Sequence, residues 1–348
     1  MLKIGVIGCG KITQVRHAPE YAEHPDCELV AWYDVLPERA QEMADTFGGT
    51  VCSSVEELLS HKPDAVSVCV ANTDHAAVTV KALEAGCHVL CEKPMATTLD
   101  DCLLMISAAE KAGKRLLIGH NQRFARAHAE GRRMIQAGDI GRILAFHTTF
   151  AHPGPEGWTG QSNSWFFDKF RAAFGAMADL GIHKTDLLHF LLGEPIVGVS
   201  AVMGTLDKTT PDGEPISVDD NALCLYQAQS GALGQMHVSW TNYGEEDNST
   251  KLFGTKGVLR FYDDPEYSLI LEKRNGETVR LKLDELTSNK KQTSGQRTST
   301  GVIDDFIESI QTGKTSIMDA SEALQSMRVI FAASQSAEEK RFIAVSQD

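Results

Sequence analysis

The chain has 348 residues, 42% of them hydrophobic and 23% charged, with a formal net charge of −14. That length suits two domains with cores of their own. The acidic balance argues against nucleic acid, whose binding depends on Lys and Arg neutralising phosphates, and no apolar run approaches the ~18 residues of a membrane span.

MLKIGVIGCG runs straight into a strand-like segment with no leader to discard, and the eight cysteines include no CxxC pair. Both features point to a reducing cytoplasm. Neither HExxH nor an obvious zinc spacing occurs, so no metal is expected.

Over residues 1–122, short apolar runs alternate with helical patterns. The runs are LKIGVIG, ELVAWYD, DAVSVCV, CHVLCEK and RLLIGH, with a weaker one at TVCSS. Near-continuous apolarity is what strands covered on both faces require. Between them the spacing predicts helices over Pro37–Phe47, from Ser54–Glu57 with a capping box, over Asp74–Ala85 and over Asp100–Ala112. Strand and helix repeated in this way give a parallel α/β sheet.

The first strand leads into GCGKIT, with Gly8 and Gly10 in the loop, Lys11 and Ile12 opening a helix, and Thr13 at a third small-residue position. Glycines admit a pyrophosphate to the backbone, and the helix N-terminus offers N–H groups and partial positive charge. Asp34 ends the second strand about 20 residues on, where an acid accepts hydrogen bonds from a ribose. A carboxylate there repels a 2′-phosphate, which favours NAD. The fourth and fifth strands end in VANTDH and CEKP, which places Val70, Asn72, His75, Glu92 and Lys93 at the ligand-binding edge of the sheet.

Residues 123–348 read differently. A helix over Arg123–Ala137 and the strand GRILAFHTTFAH precede a β-rich region. Asn221–Gln229 and Ala232–Trp240 flank one turn, and Ser268–Lys273 and Thr278–Leu283 flank another, at Asn275-Gly276. The expected fold is an α/β Rossmann domain followed by an α+β domain with a large, mostly antiparallel sheet. The polar segment 288–301 reads as a mobile loop, and Val302–Lys340 as two helices broken near Gly313, free to pack back on the first domain.

GAMADLGIHKTDLLHFLLGEP holds the least expected pattern. On a helical wheel Leu180, Leu187, Leu188 and Leu191 form an apolar stripe, with Asp179, His183 and Asp186 along its margin. They are either solvated structural residues or part of a site. His189 points away from them and is expected to be exposed. Gly181, costly inside a helix, suggests close approach of another group.

Taken together, GCGKIT, Asp34, VANTDH, Glu92-Lys93-Pro94, GHNQRF and GAMADLGIHKTD resemble the Gfo/Idh/MocA family of sugar and inositol dehydrogenases over nearly the whole chain. HPGPEGW and SWFFDKF are most similar to its inositol 2-dehydrogenase branch, of the scyllo- and myo-inositol type. Departures are Val70-Ala71 where Thr-Pro is common, and Ala176 where the family often has a second glycine.

The resemblance implies NAD-dependent, reversible oxidation of a secondary alcohol on a cyclic polyol or sugar. The alternatives it carries are a glucoside 3-dehydrogenase and a redox-neutral, NAD-dependent glycosidase. It implies Lys93, Asp179 and His183 as the catalytic set, facing a cleft between the domains. Substrate contacts are expected from these three with His152, Trp158 and Trp165, and cofactor contacts extend to Arg123. For His152 and Arg123 a structural role stands equally open. A homo-oligomer, dimer or tetramer, built on the open face of the second sheet is also implied.

Overall fold

The computed structural model describes residues 1–160, 164–286 and 300–347, except for the Trp158 side chain. The chain divides into two compact units: Met1–Asn121 with the returning segment up to Leu324, and the residues from Gln122 with Gln325 onward. Among the described residues no helix is long and apolar enough to cross a membrane. The segment read as a loop over 288–301 lies, up to residue 299, outside the described residues.

In the first unit β1 (Leu2–Ile7), β2 (Cys27–Tyr33), β3 (Thr50–Val51), β4 (Ala65–Val68), β5 (His88–Cys91) and β6 (Leu116–Ile118) form one sheet in the order 3-2-1-4-5-6. Every pairing is parallel. Residues of β4 and β6 are buried on both faces, which is why their runs carry no alternation. The strand order reverses between β1 and β4, so a ligand crevice opens at the ends of those strands.

Helices occupy Pro37–Phe47, Val55–Ser60, His75–Glu84 and Leu99–Ala112. Ser54 caps the second of these by accepting from the Glu57 N–H at 3.1 Å. The helix after the glycine loop differs from expectation, winding as a π-turn over Thr13–His17 before Ala18–Glu23.

The second unit is built on a nine-stranded sheet. It comprises β7 (Ile143–Ala151), β8 (Ile196–Gly204), β9 (Asn221–Ala228), β10 (Leu233–Ser239), β11 (Thr250–Gly254), β12 (Gly257–Phe261), β13 (Leu269–Lys273), β14 (Thr278–Leu281) and β15 (Ile343–Ala344). The order is 14-13-12-11-7-10-9-8-15. All pairs are antiparallel except β7 with β10.

That one parallel pair sets Val238 beside Phe150 and Ser239 beside Ala151, so both strands release their chain at the same end of the sheet. β9 alternates, burying Ala222, Cys224 and Tyr226 and exposing Leu223 and Leu225. One face is therefore packed and the other open. The packed face carries the helical segment Met177–Gly181 and Ile182–Leu192.

Candidate functional site

The dinucleotide half of the site rests on Gly8. Its φ is +94°, and a Cβ there would lie 2.3 Å from the Cys69 carbonyl oxygen. Only glycine lets the loop after β1 pack on the loop after β4. Thr13 closes that loop from within: it is fully buried and its hydroxyl donates to Gly8 O at 2.6 Å.

Gly10 behaves differently. No atom lies within 4 Å of its ideal Cβ, so the protein's own packing does not demand glycine. The open side fits a phosphate approaching the helix that begins at Lys11 and Ile12.

Asp34 has a structural duty that spacing did not reveal. Its Oδ2 accepts from the Cys9 N–H at 2.6 Å and its Oδ1 from the Leu36 N–H at 2.8 Å. It thereby holds the glycine loop while lining a pocket of about 390 Å³ with Tyr33, Val51, Cys52, Ser53 and Glu57. Two carboxylates in that lining make it hostile to a 2′-phosphate, and each Asp34 oxygen, accepting one backbone N–H, retains a lone pair for a ribose hydroxyl. These residues fit NAD: Gly8, Gly10, Lys11 and Ile12 for the pyrophosphate, Asp34 for the ribose.

At the end of β5, Glu92 is buried and Lys93 half-buried. His75, on the neighbouring helix, lies with Nδ1 2.7 Å from Pro94 O and Nε2 3.2 Å from Val70 O. Burial lowers the His75 pKa, so the ring is neutral and its single proton belongs at the shorter contact. His75, at the start of the helix that follows the Val70–Asn72 loop, thus holds the Lys93-Pro94 turn by donating to Pro94 O, and Asn72 is buried as well.

Beneath the turn, His17 from the π-turn meets Glu92 at 2.8 Å and Ser67 Oγ at 3.1 Å, and Tyr21 reaches Ser67 Oγ at 2.8 Å. Burial alone would lower the His17 pKa, but the Cys69 sulfur and the Glu92 carboxylate outweigh it and lift it to about 10. Burial also opposes charge on Glu92, and His17 outweighs that in turn, holding the carboxylate at about 2.

The stability contributed by His17 is therefore complete below its ordinary value of 6.5 and lost as pH rises through about 10. The gap in Tm between the parent protein and His17→Gln should narrow over that window in thermal melts. A gap that widened with rising pH would contradict the charged pair.

In the second unit, Asp179 is buried and accepts from the Trp240 indole N–H at 3.2 Å. Trp240 in turn packs edge-on against Phe166, whose ring stacks on Trp165 at 4.0 Å. The His183 ring lies 6.1 Å from Phe150, and Phe150 lies 5.7 Å from His152. His152 is buried, and its Nδ1 accepts from the Gly154 N–H at 2.9 Å. The parallel β7–β10 pair explains this gathering, since His152 follows one strand and Trp240 the other. The Trp158 side chain lies outside the described residues.

The helix itself departs from the wheel. Every residue from Gly175 to Leu191 is buried except His183, so there is no solvated margin. It is not a uniform α-helix either, being π-wound over Met177–Gly181, a feature common at functional positions.

Gly181 does not make room for a ligand: a Cβ would meet Met177 Sδ at 2.8 Å and Met236 Cε at 3.4 Å, so the glycine serves helix-to-sheet packing. His189, expected to be exposed, is 9% exposed. It bonds Ser326 Oγ at 3.1 Å and accepts from the Ile196 N–H at 3.1 Å. Burial on all sides, unlike an amphipathic margin, obliges each polar group to find a partner.

Arg123 and Asp186 form a bidentate pair, Nε to Oδ2 at 2.8 Å and Nη2 to Oδ1 at 2.7 Å, with both side chains almost fully buried. The geometry commits them to each other. Sequence reasoning had left Arg123 open between a cofactor contact and a structural role, and the ion pair fits the structural one.

Two family models match the chain. One, described as an oxidoreductase family with an NAD-binding Rossmann fold, covers residues 2–120, and the family's C-terminal domain covers residues 128–260. The D-glucoside 3-dehydrogenase of Escherichia coli is 30% identical, over 97% of this chain and 95% of that protein. The chain belongs to the Gfo/Idh/MocA oxidoreductase family. Its first unit is therefore an NAD-binding Rossmann domain.

A second relative of this Gfo/Idh/MocA protein, the myo-inositol 2-dehydrogenase of Thermotoga maritima, is 27% identical over 99% of each chain. Among solved structures, an aldose–aldose oxidoreductase from Caulobacter crescentus complexed with glycerol superposes with a TM-score of 0.82 at 26% identity, covering 99% of each chain.

Three side chains near the family's helix went unread in the sequence. Trp240 and Phe150 looked like ordinary strand residues. Lys184 is fully buried, donating to Asn248 O at 3.0 Å and to Thr250 Oγ1 at 3.4 Å, and burial brings its pKa down to about 7. A lysine between a histidine and a threonine carries no local signal of such burial.

Proposed function

We propose that this protein is an NAD-dependent dehydrogenase that reversibly oxidises a secondary alcohol on a cyclic polyol or sugar, inositol-like, to a ketone. The observation that carries the reading is His183, the one residue from Gly175 to Leu191 that is not buried, one turn from an Asp179 fixed by Trp240. The names of the two relatives support the substrate class, since both describe oxidation on a ring.

Bound NAD supplies the acceptor for the carbinol hydride. His183 takes the hydroxyl proton as the C=O bond forms, a role imidazole suits near neutral pH. Asp179 orients that imidazole and stabilises its cationic form. Lys93 places positive charge where alkoxide character develops. Trp165 and Phe166 offer an apolar face to the ring's C–H groups.

The test is NADH formation with scyllo-inositol, myo-inositol, glucose and simple glucosides. Accumulation of NADH with one of them is expected. Sugar release from a glucoside with no net NADH would instead make the protein a redox-neutral glycosidase. The open sheet face, with exposed Val202, Leu223, Leu225 and Leu233, supports a homo-oligomer; a monomeric mass by light scattering would remove that part.

A further inference from the structure

The start of the Met177–Gly181 π-turn is held by one residue. Asp219, two residues before β9 begins, accepts from the Gly175 N–H through Oδ1 and from the Met177 N–H through Oδ2, both at 2.8 Å. Its backbone carbonyl accepts from the Ala176 N–H at 2.8 Å. Three successive N–H groups at a helix start, which no helical carbonyl can reach, are thus satisfied by a single aspartate.

The fit leaves no slack. A Cβ on Gly175 would stand 1.8 Å from the Asp219 carbonyl oxygen, which explains why this position keeps its glycine although the next is alanine. Asp219 is 8% exposed, and burial pushes its carboxyl up to about 6 despite the backbone bonds it accepts. A cost of that kind is retained where the charge and geometry are used. Asp179 lies two residues beyond Met177, and His183 one turn further on.

We propose that Asp219 is a positioning residue of the reaction, fixing the phase and height of the π-turn that carries Asp179 and, through it, His183. Successive residues on a helix are ~100° apart, so slippage at the first turn swings both side chains away from their settings. Misplacement of reacting groups by about 1 Å can cost on the order of 100-fold in rate. A carboxylate is needed because two N–H donors converge on it. An amide presents one acceptor and one donor, so Asn at 219 would lose one bond and oppose the other N–H. This inference rests on the reading of Asp179 and His183 as the catalytic pair.

The experiment measures kcat, KM and NAD affinity for Asp219→Asn, Asp219→Glu and His183→Ala in the full chain, with the best substrate of the NADH screen and a thermal melt of each. The expected result for Asp219→Asn is a loss in kcat of at least about tenfold, with KM and NAD affinity within about threefold and the protein folded at the assay temperature. Asp219→Glu keeps the charge but displaces it by a methylene and should not restore kcat. If Asp219→Asn does not fold, Asp219→Ser, whose hydroxyl caps one N–H without opposing the other, carries the same expectation. A folded Asp219 variant with parental kcat, or rescue by Asp219→Glu, overturns the proposal. A fully active His183→Ala would instead bring down the catalytic reading on which it rests.

Discussion

Replacing either Lys93 or His183 with alanine is expected to lower kcat by at least ~100-fold while NAD still binds. Proton transfer by a positioned base is typically worth 10²–10⁴-fold, and no neighbour of His183 is an obvious substitute, since the rest of its helix is buried. On the proposed reading Lys93 contributes through charge. A fixed cation beside a developing alkoxide acts in the transition state more than in the ground state, so its loss falls on kcat before KM. NAD should be spared because the residues that fit it, Gly8, Gly10 and Asp34, are fixed by other contacts: the Cys69 carbonyl against Gly8, and the Cys9 and Leu36 N–H groups on Asp34. Steady-state NADH formation and a fluorescence titration with NAD separate the two effects. Near-parental kcat in both variants would remove the assignment.

The first unit was legible because its signals are local. Continuous apolar runs such as AVSVCV show strands buried on both faces, and a glycine with φ of +94° against a neighbouring carbonyl leaves its mark in the sequence itself. The second unit hid its site for a physical reason. Which strands run parallel cannot be read from their own residues, and the β7–β10 pairing alone brings Trp240 and His152 to one end of the sheet. The wheel drawn on Gly175–Pro195 assumed that polar residues mark a wet margin. Here Asp186, His189 and Lys184 are instead satisfied by partners far along the chain, Arg123, Ser326 and Asn248. Periodicity reports how residues are spaced, and is silent about partners that tertiary folding supplies.

Asp186→Ala should consequently act on stability, destabilising the protein by about 3–5 kcal/mol, because it strands the Arg123 guanidinium as a buried cation without its counter-charge. The same reasoning separates breaking the pair from replacing it. Arg123→Met together with Asp186→Leu removes both charges and leaves apolar groups in their place, so the double variant should recover much of the loss, as a double-mutant cycle would record. Urea unfolding followed by tryptophan fluorescence is a suitable measure, with each variant compared at equal slope so that a change in cooperativity is not mistaken for a change in stability. If Asp186 instead touched substrate, its removal would raise KM at nearly unchanged stability, and the double variant would be no better than the single one. The two bonds of 2.7 and 2.8 Å between side chains almost sealed from solvent favour the first outcome: desolvated groups so closely matched have little left to offer a ligand.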